Sequence, residues 1–248
     1  MKQISLTIDP TTNMIHRDYV TGFGLHGLFF HALRLADPYE AERLHGENAP
    51  KPFVIRPKYK QNRLTTIQFN ALETKTSQLL ENVWQAIYET EYLLRLGRHP
   101  LQFDSFTSTQ FNPTTNLMPN GIAKLRFVTP TVFRQGTGYL PLPIPANIFQ
   151  RPFHVWQKYG TTHPLPADWL AWCERNVFVK RHQIKTVQMP LNRHLSSYGF
   201  VGDVTLGVAS KEQANQTYVC GFSMLVQLAA YCGVGYRTTM GMGAVELA

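Results

Sequence analysis

A chain of 248 residues that is 44% hydrophobic, 12% aromatic and only 16% charged can bury a sizeable core, as one large domain or two of roughly 120 residues, and is too apolar to be disordered or fibrous. Its 24 Lys and Arg against 16 Asp and Glu, a formal net charge of +8, suit a polyanionic partner, and the absence of any long uncharged apolar run excludes a membrane-spanning helix. The N-terminus lacks the basic-then-apolar pattern of a secretion signal, and Cys173, Cys220 and Cys232 show no C-x-x-C spacing and cannot all pair, so a reduced, cytoplasmic protein is expected.

Residues 3–8 alternate, with Ile4, Leu6 and Ile8 on one face, which is the period of a half-buried strand. From Gly24 to Ala36, Leu25, Leu28, Phe29, Ala32, Leu33 and Ala36 recur at helical spacing, and Pro38 is expected to mark the end. Residues 51–56 and 63–72 then read as strands, 77–96 as a second helix, 102–111 as β-rich, and the polar stretch 112–121 as a linker. The order β-α-β-β-α-β is the ferredoxin-like plan. It starts again at Ala123 with a strand over 124–128, is interrupted by Pro141, Pro143 and Pro145, and continues through helical pieces around Trp156 and Trp169. Strands over 177–189 and 200–208, a compact apolar helix over 222–232 and a short strand over 244–247 complete it. An α+β fold of tandem ferredoxin-like (RRM-like) domains, 1–120 and 121–248, is therefore expected, a layout that suits a long single-stranded ligand better than a small one.

The charge is unevenly placed. Residues 1–120 hold 12 basic and 11 acidic side chains, net +1, whereas residues 121–248 hold 12 and 5, net +7. No acid falls between Glu174 and Asp203, yet Arg175, Lys180, Arg181, Lys185 and Arg193 do, with His182 and His194 beside them. A merely solvated face would bring acids too, so nucleic acid is the expected partner and Lys180, Arg181, Lys185 and Arg193 are candidate contacts.

The C-terminal run Gly233-Val-Gly-Tyr-Arg-Thr-Thr-Met-Gly-Met-Gly243 places Gly233 and Gly235 after the last helix and Gly241 and Gly243 before the last strand. Glycines permit positive φ and close approach of a ligand to main-chain N–H groups, and Arg237, Thr238 and Thr239 add charge and hydroxyls, so a bare phosphate-contacting loop is expected. A helix cap followed by an ordinary hairpin would need one glycine, not four. A dinucleotide fingerprint needs a following helix, for which the five residues after Gly243 leave no room, and no G-K-[ST] occurs for a P-loop. No nucleotide cofactor is expected.

These residues resemble a known family, the CRISPR repeat-processing endoribonucleases, which cut precursor CRISPR RNA into guide units. The likeness covers the whole chain and rests on the G-x-G…T-T-x-G-x-G pattern of Gly233 to Gly243. Supporting it are Phe127-Val-Thr-Pro-Thr-Val-Phe133, similar to the family's opening strand of the second domain, and Tyr198-Gly-Phe-Val-Gly202, which leads into a strand. The resemblance implies RNA cleavage without metal, products ending in a 2′,3′-cyclic phosphate and a 5′-hydroxyl, and a glycine loop that contacts RNA. It also implies that His45 and Lys51, at the spacing of members with a Tyr–His–Lys set, lie in the active site of the first domain. Phe30 takes the place of that set's tyrosine; it can reach the cleft and stack on a base, His31 is either its replacement or a helix-surface histidine, and His26, nearer the core edge, is expected to be structural. Such a reaction needs proton transfer, which histidine performs near neutral pH, and positive charge, which lysine supplies. No H-x₃-H or H-E-x-x-H spacing occurs among the nine histidines, so no metal is expected. The expected partners are CRISPR repeat RNA, single-stranded or stem-loop, and a CRISPR effector complex, with the chain a monomer or homodimer. The missing tyrosine motivates the competing reading, a non-cleaving CRISPR RNA-binding subunit.

Overall fold

In the computed structural model, which describes every residue except 12–13, 116–117 and 161–163, the alternation of Ile4, Leu6 and Ile8 becomes strand β1 (Lys2–Ile8), with all three side chains buried. Helix α1 (Gly22–Ala36) follows, opened by the Thr21 hydroxyl, which accepts from the Gly24 N–H at 3.0 Å. Pro38 does not simply end it. Asp37 serves at once as the cap of α1 and the N-cap of a second helix, α2 (Pro38–Gly46), its carboxylate accepting from the Glu40 N–H at 2.9 Å. Proline suits the first helical position, where its missing N–H has no partner to lose, so the residue read as a terminator starts a helix.

Strands β2 (Phe53–Lys60) and β3 (Arg63–Ala71) form a hairpin, and α3 (Thr74–Glu89) crosses back over the sheet. The apolar pattern that predicts a helix as far as Leu96 is divided in the structure: Glu91, at φ 50, turns the chain away. Leu94–Leu96 is β4, paired with β5 (His99–Leu101) around Gly97. With β6 (Phe103–Gln110) the sheet runs β2-β3-β1-β6, antiparallel throughout. Phe29 stacks on Phe53 at 4.1 Å and Phe69 on Trp84 at 4.2 Å in the core beneath it.

The second half repeats the plan. β7 (Ile122–Thr131) is followed by the short hairpin β8 (Phe133–Gln135) and β9 (Gly138–Leu140), then α4 (Pro145–Tyr159) and α5 (Trp169–Asn176). The long strands β10 (Val177–Pro190) and β11 (Ser196–Val208), helix α6 (Gln216–Cys232) and β12 (Val245–Leu247) complete a sheet of order β10-β11-β7-β12. In each sheet the second and third strands of the unit lie on one side of the first and the fourth on the other, which is the ferredoxin-like arrangement twice over. One compact unit comprises residues 1–111, 189–197 and 239–241, and the other 112–188, 198–238 and 242–248. No helix among the described residues is long and apolar enough to cross a membrane.

The C-terminal glycines are explained by the fold. Gly233 caps α6 at φ 73, and beyond it the Val234 N–H donates to the Gly243 carbonyl at 2.9 Å, while the Gly243 N–H donates to Pro130 at 3.0 Å. The chain here crosses itself and the end of β7 so closely that a Cβ on Gly243 would stand 1.9 Å from the Val234 oxygen, and one on Gly235 2.5 Å from that of Val132. Gly97, at a similar φ of 62, has nothing within 4 Å of its Cβ position. We expect Gly243→Ala to lower stability by more than about 2 kcal/mol, since strain and clash add, and Gly97→Ala to cost only the left-handed penalty of about 1 kcal/mol. Urea unfolding midpoints of the two variants check this, and equal losses would contradict it.

Candidate functional site

Helices α1 and α2 bring together two imidazoles that lie far apart in sequence. His26 is one turn before Phe30 on α1, and His45 is in the last turn of α2. The His26 and His45 rings are 5.8 Å apart, and Phe30 lies 4.7 Å from the first and 5.1 Å from the second. Phe30 itself is only 2% exposed and packs edge-on against Phe29 and Phe53. It therefore forms the wall behind the imidazoles and does not reach a ligand, because α2 covers this side of α1. The expectation of base stacking at Phe30 is corrected on that ground. His31 is exposed; five residues beyond His26, it lies about 140° round the helix and outside the cluster. The imidazole that faces His45 is that of His26.

Lys51 holds this arrangement at its end. Its ammonium donates to the carbonyl oxygens of Leu44 at 2.9 Å and His45 at 2.7 Å, a positive charge on the negative end of α2. The start of α2 is tied by charge as well. Glu40, 7% exposed, accepts from Arg43 at 2.9 Å and Lys75 at 2.6 Å, and Arg43 also reaches Glu47 at 2.9 Å. The hydrogen bond from Lys75, ahead of that from Arg43, holds the Glu40 carboxyl below its usual range. His26 is pushed down to about 4, first by burial and then by the positive charges of His45, Lys51 and Arg34. At neutral pH its imidazole is uncharged and able to accept a proton.

Lys180, Arg181 and Lys185 are all exposed on β10, the edge strand of the second sheet. Beside them a cavity of about 270 Å³ is lined by Lys124, Arg126, Arg181 and His182, with Asp203 paired to Arg126 at 2.8 Å. Arg193, also exposed, belongs instead to the turn 189–197 of the first unit, whose Leu191 carbonyl accepts from the Phe23 N–H at the start of α1, 3.0 Å away. In the glycine loop Gly233, Thr238, Gly241 and Gly243 are buried, whereas Gly235, Arg237 and Thr239 are partly exposed. The backbone is therefore not the bare surface expected, since its glycines are filled by the protein's own chain. The loop's tip, 239–241, belongs to the first unit. There a Cβ on Gly241 would meet Leu25 at 2.6 Å and one on Gly22 would meet Met240 at 3.3 Å, so the tip lies on the first turn of the helix that carries His26. A cavity of about 510 Å³ in the first unit is lined by Asp9, Glu89, Glu91 and Asp104, carboxylates that repel phosphate. Among the described residues no group of three or more His, Cys, Asp and Glu side chains is placed to hold a metal ion.

Residues 125–245 match the family model described as CRISPR-associated endoribonuclease Cas6. Over 125 residues the chain is 27% identical to the CRISPR-associated endoribonuclease Cas6 of Streptococcus thermophilus, a stretch covering 49% of this chain and 48% of that protein. The chain thus matches about half the length of this curated relative. Among solved structures, a Cas6 product complex aligns with a TM-score of 0.81 at 19% identity, with both chains covered in full. Cas6 of Thermus thermophilus aligns with a TM-score of 0.72 at 23% identity, covering 100% of this chain and 98% of that one. At such identities the structures show a shared fold. The resemblance carried by the C-terminal motif is found again in the family model, the curated relative and the fold.

In a histidine-resolved NMR titration His26 is expected to change charge near pH 4, and Arg34→Gln, which removes one positive neighbour without touching α2, is expected to raise that value. An unfolded histidine takes its proton at about 6.5, so the unfolded chain binds more protons between the two values. His26 therefore contributes stability that is fully present above about pH 6.5 and is lost as pH falls towards the folded value. A titration at the free-imidazole value would contradict the buried position.

Proposed function

Taking the Cas6 signature of the second half and the Cas6 fold of the whole chain as premises, we propose that this protein is a cytoplasmic endoribonuclease that cleaves precursor CRISPR RNA within its repeats, without a metal ion. The observation that carries the reading is the pair of facing imidazoles, one kept neutral, beside a lysine. Neutral His26 accepts the proton of a ribose 2′-hydroxyl as that oxygen bonds to the adjacent phosphorus. His45 gives a proton to the departing 5′-oxygen, leaving a 2′,3′-cyclic phosphate and a 5′-hydroxyl. Burial, the largest cause of the lowering of His26, stays when RNA binds, but the phosphate offsets the positive charges of His45 and Lys51 that add to it, so binding raises the basicity of His26. Lys51 stabilises the charge growing on phosphorus, while its bonds to Leu44 and His45 keep His45 in place. Lys180, Arg181, Lys185 and Arg237 supply contacts to the RNA backbone, and Arg193 a further one. This division supports cleavage over a purely binding subunit, because a phosphate-binding surface alone needs no neutral histidine.

With labelled repeat RNA in excess chelator, His26→Ala and His45→Ala are each expected to slow single-turnover cleavage by about 10²- to 10⁴-fold, and His31→Ala to leave it unchanged. A substrate with sulfur in place of the 5′-leaving oxygen, which departs without an acid, restores His45→Ala but not His26→Ala if the roles are as assigned. Cleavage of RNA carrying a 2′-deoxy sugar at the scissile nucleotide refutes the mechanism, and binding without cleavage by the unaltered protein refutes the activity.

The basic strand is tested separately. Replacing Lys180, Arg181 and Lys185 together by Gln is expected to make the fall of log affinity with log salt shallower by about 2, as for three lost phosphate contacts on a single strand. An unchanged slope would place the RNA elsewhere.

A further inference from the structure

The hairpin of β8 and β9 stands out from the second unit for what it exposes. Arg134 through Tyr139 are all exposed, while Phe133 at its base is 3% exposed and packs against Phe200, so the projection is rooted in the core. Tyr139 is 53% exposed, and its ring lies 5.8 Å from that of Tyr236 with 29° between the planes. The guanidinium of Arg237 lies 5.1 Å from the centre of the Tyr236 ring, and Arg134 stands opposite Tyr139 in the hairpin register.

The glycine loop is shaped to build this ladder. The Tyr236 N–H donates to Val132 at 2.9 Å, which draws the loop alongside the hairpin. Gly235, at φ 76, makes that approach possible, since a Cβ there would meet both the Val132 oxygen and the Phe133 ring. Arg237 is itself left-handed at φ 60, a conformation uncommon for a non-glycine residue. The other face of Tyr139 meets no ring or cation among the described residues. The sequence around it is free of acids: none occurs between Asp104 and Asp168, nor between Glu212 and Glu246.

We propose that Tyr139, Tyr236 and Arg237 form a stacking platform for one unpaired nucleobase of the bound RNA, a subsite distinct from the imidazole pair, with Arg134 against the adjoining phosphate. Two near-parallel rings offer a π face to any base, a stacked arginine extends them, and the absence of carboxylates suits a ligand whose backbone is anionic. A peptide would find the same rings but no acid for its own cations. This inference rests on the reading of the chain as an RNA-binding nuclease and adds to it where a base is held.

The test uses His45→Ala protein, which cleaves too slowly to consume the RNA during a binding measurement, and repeat RNA with its single-stranded flanks, in which unpaired nucleotides are replaced one at a time by abasic ribose. Stacking predicts that Tyr139→Ala weakens binding about 5- to 150-fold and that Tyr139→Phe, which keeps the ring, binds as before. One abasic position is expected to weaken binding to the unaltered platform and to make no difference in Tyr139→Ala. Equal affinity of Tyr139→Ala and its parent, or equal abasic penalties in both, overturns the platform while leaving the nuclease reading intact. Failure of the parent to bind repeat RNA at all overturns both.

Discussion

The ammonium of Lys51 donates to the carbonyl oxygens of Leu44 and His45, and the position of the candidate site follows from that contact. Helix α2 has nine residues, too few to hold together by backbone hydrogen bonding alone, and His45 is in the turn most prone to fray. Charge stabilises both ends: Glu40 between Arg43 and Lys75 near the start, and Lys51 at the finish. Held so, α2 lies over Phe30 and presents His45 to His26. The same device recurs on α6, where the Arg151 side chain donates to the Cys232 carbonyl at 3.1 Å immediately before the glycine loop. In each half a basic side chain fixes the end of a helix.

The glycines of the C-terminal loop are demanded by the fold itself. Gly243 and Gly235 are required because the chain passes within van der Waals distance of Val234 and Val132. That crossing leaves Tyr236 and Arg237 partly exposed on the second unit, while residues 239–241 pack on the start of α1 within the first. Within the first unit, α1 carries His26, its first turn meets residues 239–241, and its Phe23 N–H donates to the turn that includes Arg193.

Much of the fold is legible in the sequence because strand and helix periods differ and the ferredoxin-like order occurs twice. The alternation of Ile4, Leu6 and Ile8 and the helical spacing from Leu25 to Leu33 each leave one reading. The errors arise where one residue type serves two purposes. Pro38 ends a helix in most contexts, but after Asp37 it begins one. Leu94 and Leu96 fit the continuation of α3 as well as a strand, and only the turn at Glu91, which the residue type does not announce, decides between them. Family spacing points to His45 and Lys51, which the structure places in contact through the His45 carbonyl. His26 is four residues before Phe30 and so on the same helix face, and its apolar neighbours suggest a core position, but its ring also faces His45. That juxtaposition depends on α2, since without that helix Phe30 has nothing to cover it and His26 has no His45 to face.

If α1 and α2 exist to set His26 and His45 against one phosphate, the two histidines act as a unit and their losses do not add. The direct measurement is a double-mutant cycle on single-turnover repeat RNA cleavage with His26→Ala, His45→Ala and the combined variant. The account predicts that the double variant cleaves scarcely more slowly than the worse of the singles. Losses that multiply would contradict it, because they would mean that the two imidazoles serve separate steps or separate sites.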